Sequence, residues 1–337
     1  MKALQALSLF SGAGGFDIGF ERAGIRTVAF AENDKWASEV LAARWPDIPN
    51  LGDVTAIGNR GHGAEDERRN GSGSRLSLRS DVFASIAGSS RSIDLIHGGF
   101  PCQDLSVAGN RAGLGGERSN LWFEFQRVLS ELRPRWTVIE NVAGLLSSNG
   151  GRDFGIILEG LEECGFDGIG WAVLDAQNFG VPQRRRRVFI VGGPSRRSVE
   201  AVLSICESCG GNPETGQEAG EDVAGPLGSG STAGERGYRN DLDSQGAYIS
   251  GAVSAKWSKG TGGPAGDEAY NLVEADTAVR RLTPLECERL MGWPDDWTRW
   301  DSEGNEIADS HRYRMAGNGV VATVAEWLGQ RIVSVDD

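Results

Sequence analysis

The segment 98–106, GGFPCQDLS, sets Cys102 directly after a proline in a glycine-flanked turn that follows the apolar run IDLIH. Taken alone, a cysteine is more often a small buried hydrophobe than a nucleophile. Its place beyond a strand end points the other way. A second apolar run, WTVIENV, ends in Glu140 and Asn141. A carboxyl closing an apolar strand is partly desolvated, which raises its pKa and lets it donate a proton near neutral pH.

The first turn, LFSGAGGFDIGF, is glycine-rich and stands between an apolar run and an amphipathic one. Such a turn lets a nucleotide-like ligand approach the main chain at a helix N-terminus. The dinucleotide fingerprint G-x-G-x-x-G, started at Gly12 and Gly14, needs a glycine where the chain has Asp17. That miss argues against a dehydrogenase. The next strand ends in AEND, and its Glu32 stands where a carboxylate takes ribose hydroxyls. Both facts fit an adenosine-bearing cofactor without a pyrophosphate.

These residues need a sheet to gather them. LQALSLF, RTVAFAE, LGDV, SIDLIHGG, RWTVIENV, IGWAVLDA and RVFIVGG read as strands. GFDIGFERAG, DKWASEVLAARW, SNLWFEFQRVLSEL and a stretch near 153–164 read as helices. The alternation predicts an α/β, Rossmann-like, doubly wound and mostly parallel sheet. Ligands bind such sheets at the carboxyl ends of the strands. Phe10 to Gly15, Glu32, Asp53, Cys102, Glu140 and Asn141 are therefore expected to face one crevice.

Composition supplies the outer limits. The chain has 337 residues with 39% hydrophobic content, enough for one large core and a smaller domain. The apolar start MKALQALSLF runs into SGAGGF without a cleavage site and reads as a buried strand rather than a leader. Five cysteines at irregular spacing fit a reducing compartment, so a cytoplasmic protein is expected, with no membrane partner. Cys206 and Cys209 form a lone C-x-x-C, read as structural, and no metal is expected.

Residues 57–92, rich in Gly, Ser and Arg, read as a flexible insertion. Residues 194–280 shift toward Gly, Ser and acids and read as loop-rich. The expected division is a core of 1–193 plus 310–337 and a small domain of 194–309. Net charge is −13, from 47 acids and 34 bases, against the basic balance of a phosphate-binding protein. Bases do cluster at Arg184–Arg187, Arg196–Arg197 and Arg280–Arg281. Thr283, Pro284 and Glu286 satisfy the rules for a capped helix start.

In this order along the chain, LFSGAGGF, AENDKWA, GDV, GGFPCQDLSVAG, ENV, QNFGVPQRRRRVFIVG, RRLTPLECERLMGWPDDW and YRMAGNGVV resemble the motifs of the cytosine-5 DNA methyltransferases of bacterial or phage type. The resemblance runs over nearly the whole chain. His97 before the catalytic loop and the 57–92 insertion depart from the pattern. It implies S-adenosylmethionine as cofactor, double-stranded DNA as partner, a monomer, and a cognate restriction endonuclease. It also implies roles for residues. Cys102 would attack C6 of a flipped-out cytosine, Glu140 would protonate N3, and Asn141 would orient the loop or base. Arg185 and Arg187, following Gln183, would neutralise O2 and hold the catalytic loop. SVAGNRAGLGGERSN, with Arg111 and Arg118, would close as a lid.

On the cofactor side the resemblance implies Phe10 against adenine, Glu32 on the ribose, Asp53 on the adenine amine, and Asn318 with Val320 at the methionine end, with Gly12 and Gly14 in the loop. Asn318 then requires a C-terminal helix from about residue 318 to fold back onto the first strand. Residues 194–309 become the target-recognition domain. Its stretch 194–280 holds seven bases and thirteen acids, with Lys256, Trp257 and Lys259 in SAKWSKGTGG as the candidate base contacts. Two alternatives are a cytosine-5 tRNA methyltransferase and a non-catalytic DNA-binding relative. The first lacks its Cys-Phe-Thr signature, since Cys287 is followed by Glu288. The second sits poorly with Cys102, Glu140 and the arginines all present.

Overall fold

The structure, a computed structural model, describes residues 3–57, 93–101, 121–204, 253, 272–275 and 278–336. Cys102, Arg111, Arg118, Cys206, Cys209, Lys256, Trp257, Lys259 and all of the 57–92 insertion except Ile57 lie outside the described residues. Strand β1 (Gln5–Leu9) leads through the glycine turn into helix α1 (Gly15–Arg22), then β2 (Arg26–Ala31) and α2 (Lys35–Arg44). Asp34 starts α2 by accepting from the Trp36 and Ala37 N–H groups at 3.0 Å each.

Strand β3 (Leu95–Gly98), helix α3 (Leu121–Leu132), β4 (Trp136–Val142), α4 (Arg152–Glu163), β5 (Gly168–Asp175) and β6 (Arg186–Gly193) complete the sheet. Its order is β2-β1-β3-β4-β6-β5, with β1 to β4 parallel and β6 antiparallel to both neighbours. Successive strand residues serve opposite cores. Ala6, Leu95, Val138 and Phe189 face one, and Leu7, Ile96, Ile139 and Ile190 face the other. The sheet is thus covered on both sides, the doubly wound arrangement that the alternation predicts.

The predicted strand LGDV is not a strand. One parallel bridge, Phe30 to Asn50, stands just before it, and a 3-10 turn at Val54–Ala56 follows. Side-chain bonding displaces the ladder here. Asn50 Oδ1 accepts from the Glu32 and Gly52 N–H groups, and Asp53 accepts from the Thr55 N–H.

Helix α5 (Arg196–Leu203) packs on β5 and β6, where a Cβ on Gly170 or Gly193 would meet the Val199 side chain. A two-stranded hairpin, β7 (Leu272–Ala275) and β8 (Ala278–Arg281), precedes α6 (Pro284–Leu290). Thr283 and Glu286 form the expected reciprocal cap of α6, with Pro284 inside it. The segment after α6 returns to the core, where Trp297 Nε1 donates to the Ala13 carbonyl and Arg44 donates to the Asp296 and Trp297 carbonyls.

Helices α7 (Asp309–Asn318) and α8 (Ala322–Asp336) end the chain. The fold-back differs in detail from the expectation. Asn318 ends α7 instead of starting the last helix, and α8 lies on α1 instead of on β1, because α1 already covers that strand. Gly15 and Gly19 permit the close approach, since a Cβ on them would stand 2.3 Å from the Val320 and Ala322 carbonyls. Trp136 Nε1 donates to Asp336 at 2.6 Å and pins the far end.

Candidate active site

At the carboxyl ends of β1 to β4 the chain encloses a cavity of about 530 Å³. Its walls include Phe10, Gly12, Glu32, Asp53, Gly99 to Pro101, Glu140, Asn141, Arg185, Arg187 and Asn318. Most of the residues singled out in the sequence therefore meet in one space. Two do not line it. Gly14 (φ 85) caps α1, and a Cβ there would strike Trp45 at 2.5 Å. Val320 lines a small adjoining void behind Arg185, and its carbonyl accepts from Trp293 Nε1.

One half of the cavity is built on main-chain donors. Glu32 Oε2 accepts from the Gly12 N–H at 2.7 Å and Oε1 from the Asp34 N–H at 2.6 Å. Burial raises its pKa, and the hydrogen bonds from Asp34 and Gly12 oppose the rise. A carboxylate has about four acceptor positions, so Glu32 can also take a hydroxyl donor. Burial would also raise Asp53, but the Thr55 N–H, the Thr55 hydroxyl and the Asn33 amide outweigh it and hold the carboxyl below its ordinary value. Phe10 adopts φ 52, a strained conformation for a bulky side chain, with its N–H donating to the Ala31 carbonyl. Its ring stacks on Phe125 at 6.4 Å.

The other half is built on side chains. Glu140 lies two residues before the end of β4, beside Arg187 of β6, with Arg187 Nε 3.1 Å from Oε1. Its side chain is only 12% exposed. Burial raises its pKa against the pull of Arg187 and Arg185. Gly99 faces it, since a Cβ there would lie 3.0 Å from Oε2. Buried Asn141 donates to the Phe100 carbonyl at 3.1 Å and accepts from the Val142 N–H. It thereby ties the strand end to the segment that runs into Cys102.

Arg185 is spent differently from Arg187. Its guanidinium donates to the main-chain carbonyls of Val253, Gly317 and Gly319 at 2.8–3.1 Å. Burial, with repulsion from Arg187, lowers its pKa to about 9 against the attraction of Glu140. Gln183, fully buried, donates to the Leu290 carbonyl and accepts from the Val253 N–H. Among the residues that sequence reasoning passed over, Asp34 and Arg314 line the cavity and pair at 2.5 Å. Asp34 carried a signal as a helix cap. Arg314 stands in the YRMAGNGVV motif, but nothing near it in sequence marks its meeting with Asp34 from the other end of the chain.

A glycine turn, a carboxylate on main-chain donors and a second acid beside arginines thus stand at the carboxyl ends of one doubly wound sheet. Comparison with known proteins gives the family. The chain belongs to the C-5 cytosine-specific DNA methylase family, whose profile matches residues 4–208 and 229–334. It is 29% identical to the type II methyltransferase M2.BsuMI of Bacillus subtilis over 337 residues, covering 98% of this chain and 75% of that one. With M.DsaV of Dactylococcopsis salina it is 27% identical, covering 100% of this chain and 88% of that one. M.AquIA of Picosynechococcus is 36% identical over 56% of this chain and 71% of that one. In fold it is similar to the Entamoeba histolytica methyltransferase EhMeth, with a TM-score of 0.63 at 14% identity over 100% of both chains. The S. pombe Dnmt2 methyltransferase gives 0.60 at 17% over 99% of both. The protein is thus a DNA cytosine-5 methyltransferase. Among the described residues no helix is long and apolar enough to cross a membrane.

Proposed function

We propose that the enzyme transfers a methyl group from S-adenosylmethionine to C5 of a cytosine flipped out of duplex DNA, through a covalent bond between Cys102 and C6. The observation that carries this reading is one cavity shared by the Glu140–Arg187 pair, the Gly99–Pro101 segment that runs into Cys102, and the Glu32 and Asp53 carboxylates.

The cofactor half fits an adenosine. Phe10 offers a ring face, the Glu32 oxygens can accept from ribose hydroxyls, and Asp53 Oδ2, which takes the Asn33 amide at 3.3 Å, can also accept from an amine. Asn318, exposed at the end of α7, serves the methionine end. Gly12 supplies the N–H that orients Glu32, while Gly14 and Val320 act through packing. When bound, S-adenosylmethionine supplies an electrophilic methyl carbon.

In the base half, the Cys102 thiolate adds to C6 as N3 takes a proton from Glu140, so that C5 gains the electron density needed to accept the methyl carbon. Burial keeps Glu140 protonated at higher pH than an ordinary carboxyl, and Arg187 takes up its charge once the proton has gone. Asn141 positions the loop through Phe100. Arg185 contributes by fixing the surrounding main chain, and Arg187 is the arginine placed to meet O2. Methyl transfer leaves S-adenosylhomocysteine. Loss of the C5 proton to water, departure of Cys102 from C6 and return of the N3 proton to Glu140 then restore the ring, the thiolate and the acid.

Target recognition falls to the chain between α5 and α6, with flanks that pack on the core. Its excess of acids leaves the DNA contacts to few residues. The type II names of the relatives support a cognate endonuclease as partner. The methyltransferase itself is proposed to act as a monomer. The test is transfer of labelled methyl to duplex DNA together with a denaturation-resistant adduct on 5-fluorocytosine DNA. Cys102→Ser is expected to abolish both. Methylation of tRNA but not DNA, or full transfer by the variant, overturns the reading.

A further inference from the structure

Helix α7 reaches the cavity from the opposite end of the sequence and is fastened there at two places of opposite character. At its carboxyl end, buried Arg185 holds the Gly317 and Gly319 carbonyls at 3.0 and 2.8 Å. One turn earlier, Arg314 Nη2 meets Asp34 Oδ2 at 2.5 Å, with the two side chains 40% and 35% exposed. On the same face of α7, His311 stacks on Trp36 at 4.5 Å. The first fastening is buried and bonds to several carbonyls. The second is solvated, a single pair that exchanges with water and salt.

Each partner of the exposed pair is joined to a residue assigned to the cofactor. Asp34 divides its work: Oδ1 caps α2, its N–H donates to Glu32 Oε1 at 2.6 Å, and Oδ2 is left for Arg314. Arg314 precedes Asn318 by one helical turn, and Met315 and Gly317 beside it also line the cavity.

We propose that the Asp34–Arg314 pair is a positioning pair that clasps the C-terminal part of the chain to α2 across the cofactor cavity and sets how long the cofactor stays bound. The inference rests on the S-adenosylmethionine reading above. With the clasp formed, Glu32 and Asn318 are held at a fixed separation. With it broken, the cavity opens between α2 and α7, while the Arg185 end stays closed.

The experiment measures dissociation of S-adenosylhomocysteine from the full chain, by chase in stopped flow, for wild type, Arg314→Met, Asp34→Asn and the double variant. Asparagine caps a helix as well as aspartate does, so Asp34→Asn removes the pair and spares α2. Each single variant is expected to release the ligand about threefold to fivefold faster, the range open to an exposed pair. The double variant is expected to be no faster than either single, and the unfolding midpoints of the free proteins to stay level. Raising salt from about 0.05 to 0.5 M should speed release from wild type and leave the variants unmoved. Unchanged release in both singles, additive effects in the double, or equal salt response in all four proteins overturns the clasp. Failure of wild type to bind S-adenosylhomocysteine overturns the cofactor reading itself; binding with wild-type release in the variants overturns the clasp alone.

Discussion

Glu32, just past β2, and Glu140, near the carboxyl end of the parallel strand β4, face the same cavity and are both raised in pKa by burial. They differ in what holds them. Glu32 is fixed by two main-chain N–H groups that cannot leave, which makes it a permanent acceptor. Glu140 is held by the Arg187 side chain, a partner that can follow a change of charge. In the proposed mechanism one residue type therefore serves as a ribose anchor in one half and a proton donor in the other, because partner chemistry separates the roles.

Three substitutions and a pH series can break or sharpen that contrast. Glu140→Gln should lower turnover by about 10²–10⁴, the usual worth of a positioned acid, while S-adenosylhomocysteine affinity stays within about twofold by calorimetry. Equal losses in both would show that the halves are not separate. The pH dependence follows from the same group. The protonated carboxyl is the donor, so turnover should be full below its raised pKa and fall as pH rises through it, and Glu140→Gln should lose that limb. Glu32→Gln should weaken cofactor binding by about 10- to 100-fold, as expected for hydrogen bonds to a charged group, with turnover at saturating cofactor much less affected. Asn141→Ala removes the tie to the Phe100 carbonyl and should cost about tenfold in turnover with cofactor affinity kept, the effect of one buried hydrogen bond. A loss of cofactor affinity in that variant would join the halves through the loop.

Much of the fold could be read in the residues. The strands around Leu7, Phe30, Ile96 and Ile139 are continuous apolar runs because both faces of the sheet are covered, and the helices between them carry their own stops. Asp34 and Thr283 capped helices where their types and spacing require. LGDV was not legible as a turn, since its apolar ends suit a strand and the competing bonds come from Asn50 and Asp53 side chains. The division between Arg185 and Arg187 was equally hidden. Two residues apart at the entry to β6, they share charge and type, and only the carbonyls that meet Arg185 show that both of its Nη atoms are engaged.

The sequence by itself determined the order of strands and helices, the glycine turn, and which side chains stand at strand ends, because these depend on neighbours a few residues away. It also carried the ordered motifs by which the family is read. Only the tertiary structure decided how those groups are partnered: the main-chain donors on Glu32, the arginine on Glu140, the carbonyl cage on Arg185, and the meeting of Asp34 with Arg314. Such partners are set by packing between segments up to 280 residues apart, which no local pattern encodes.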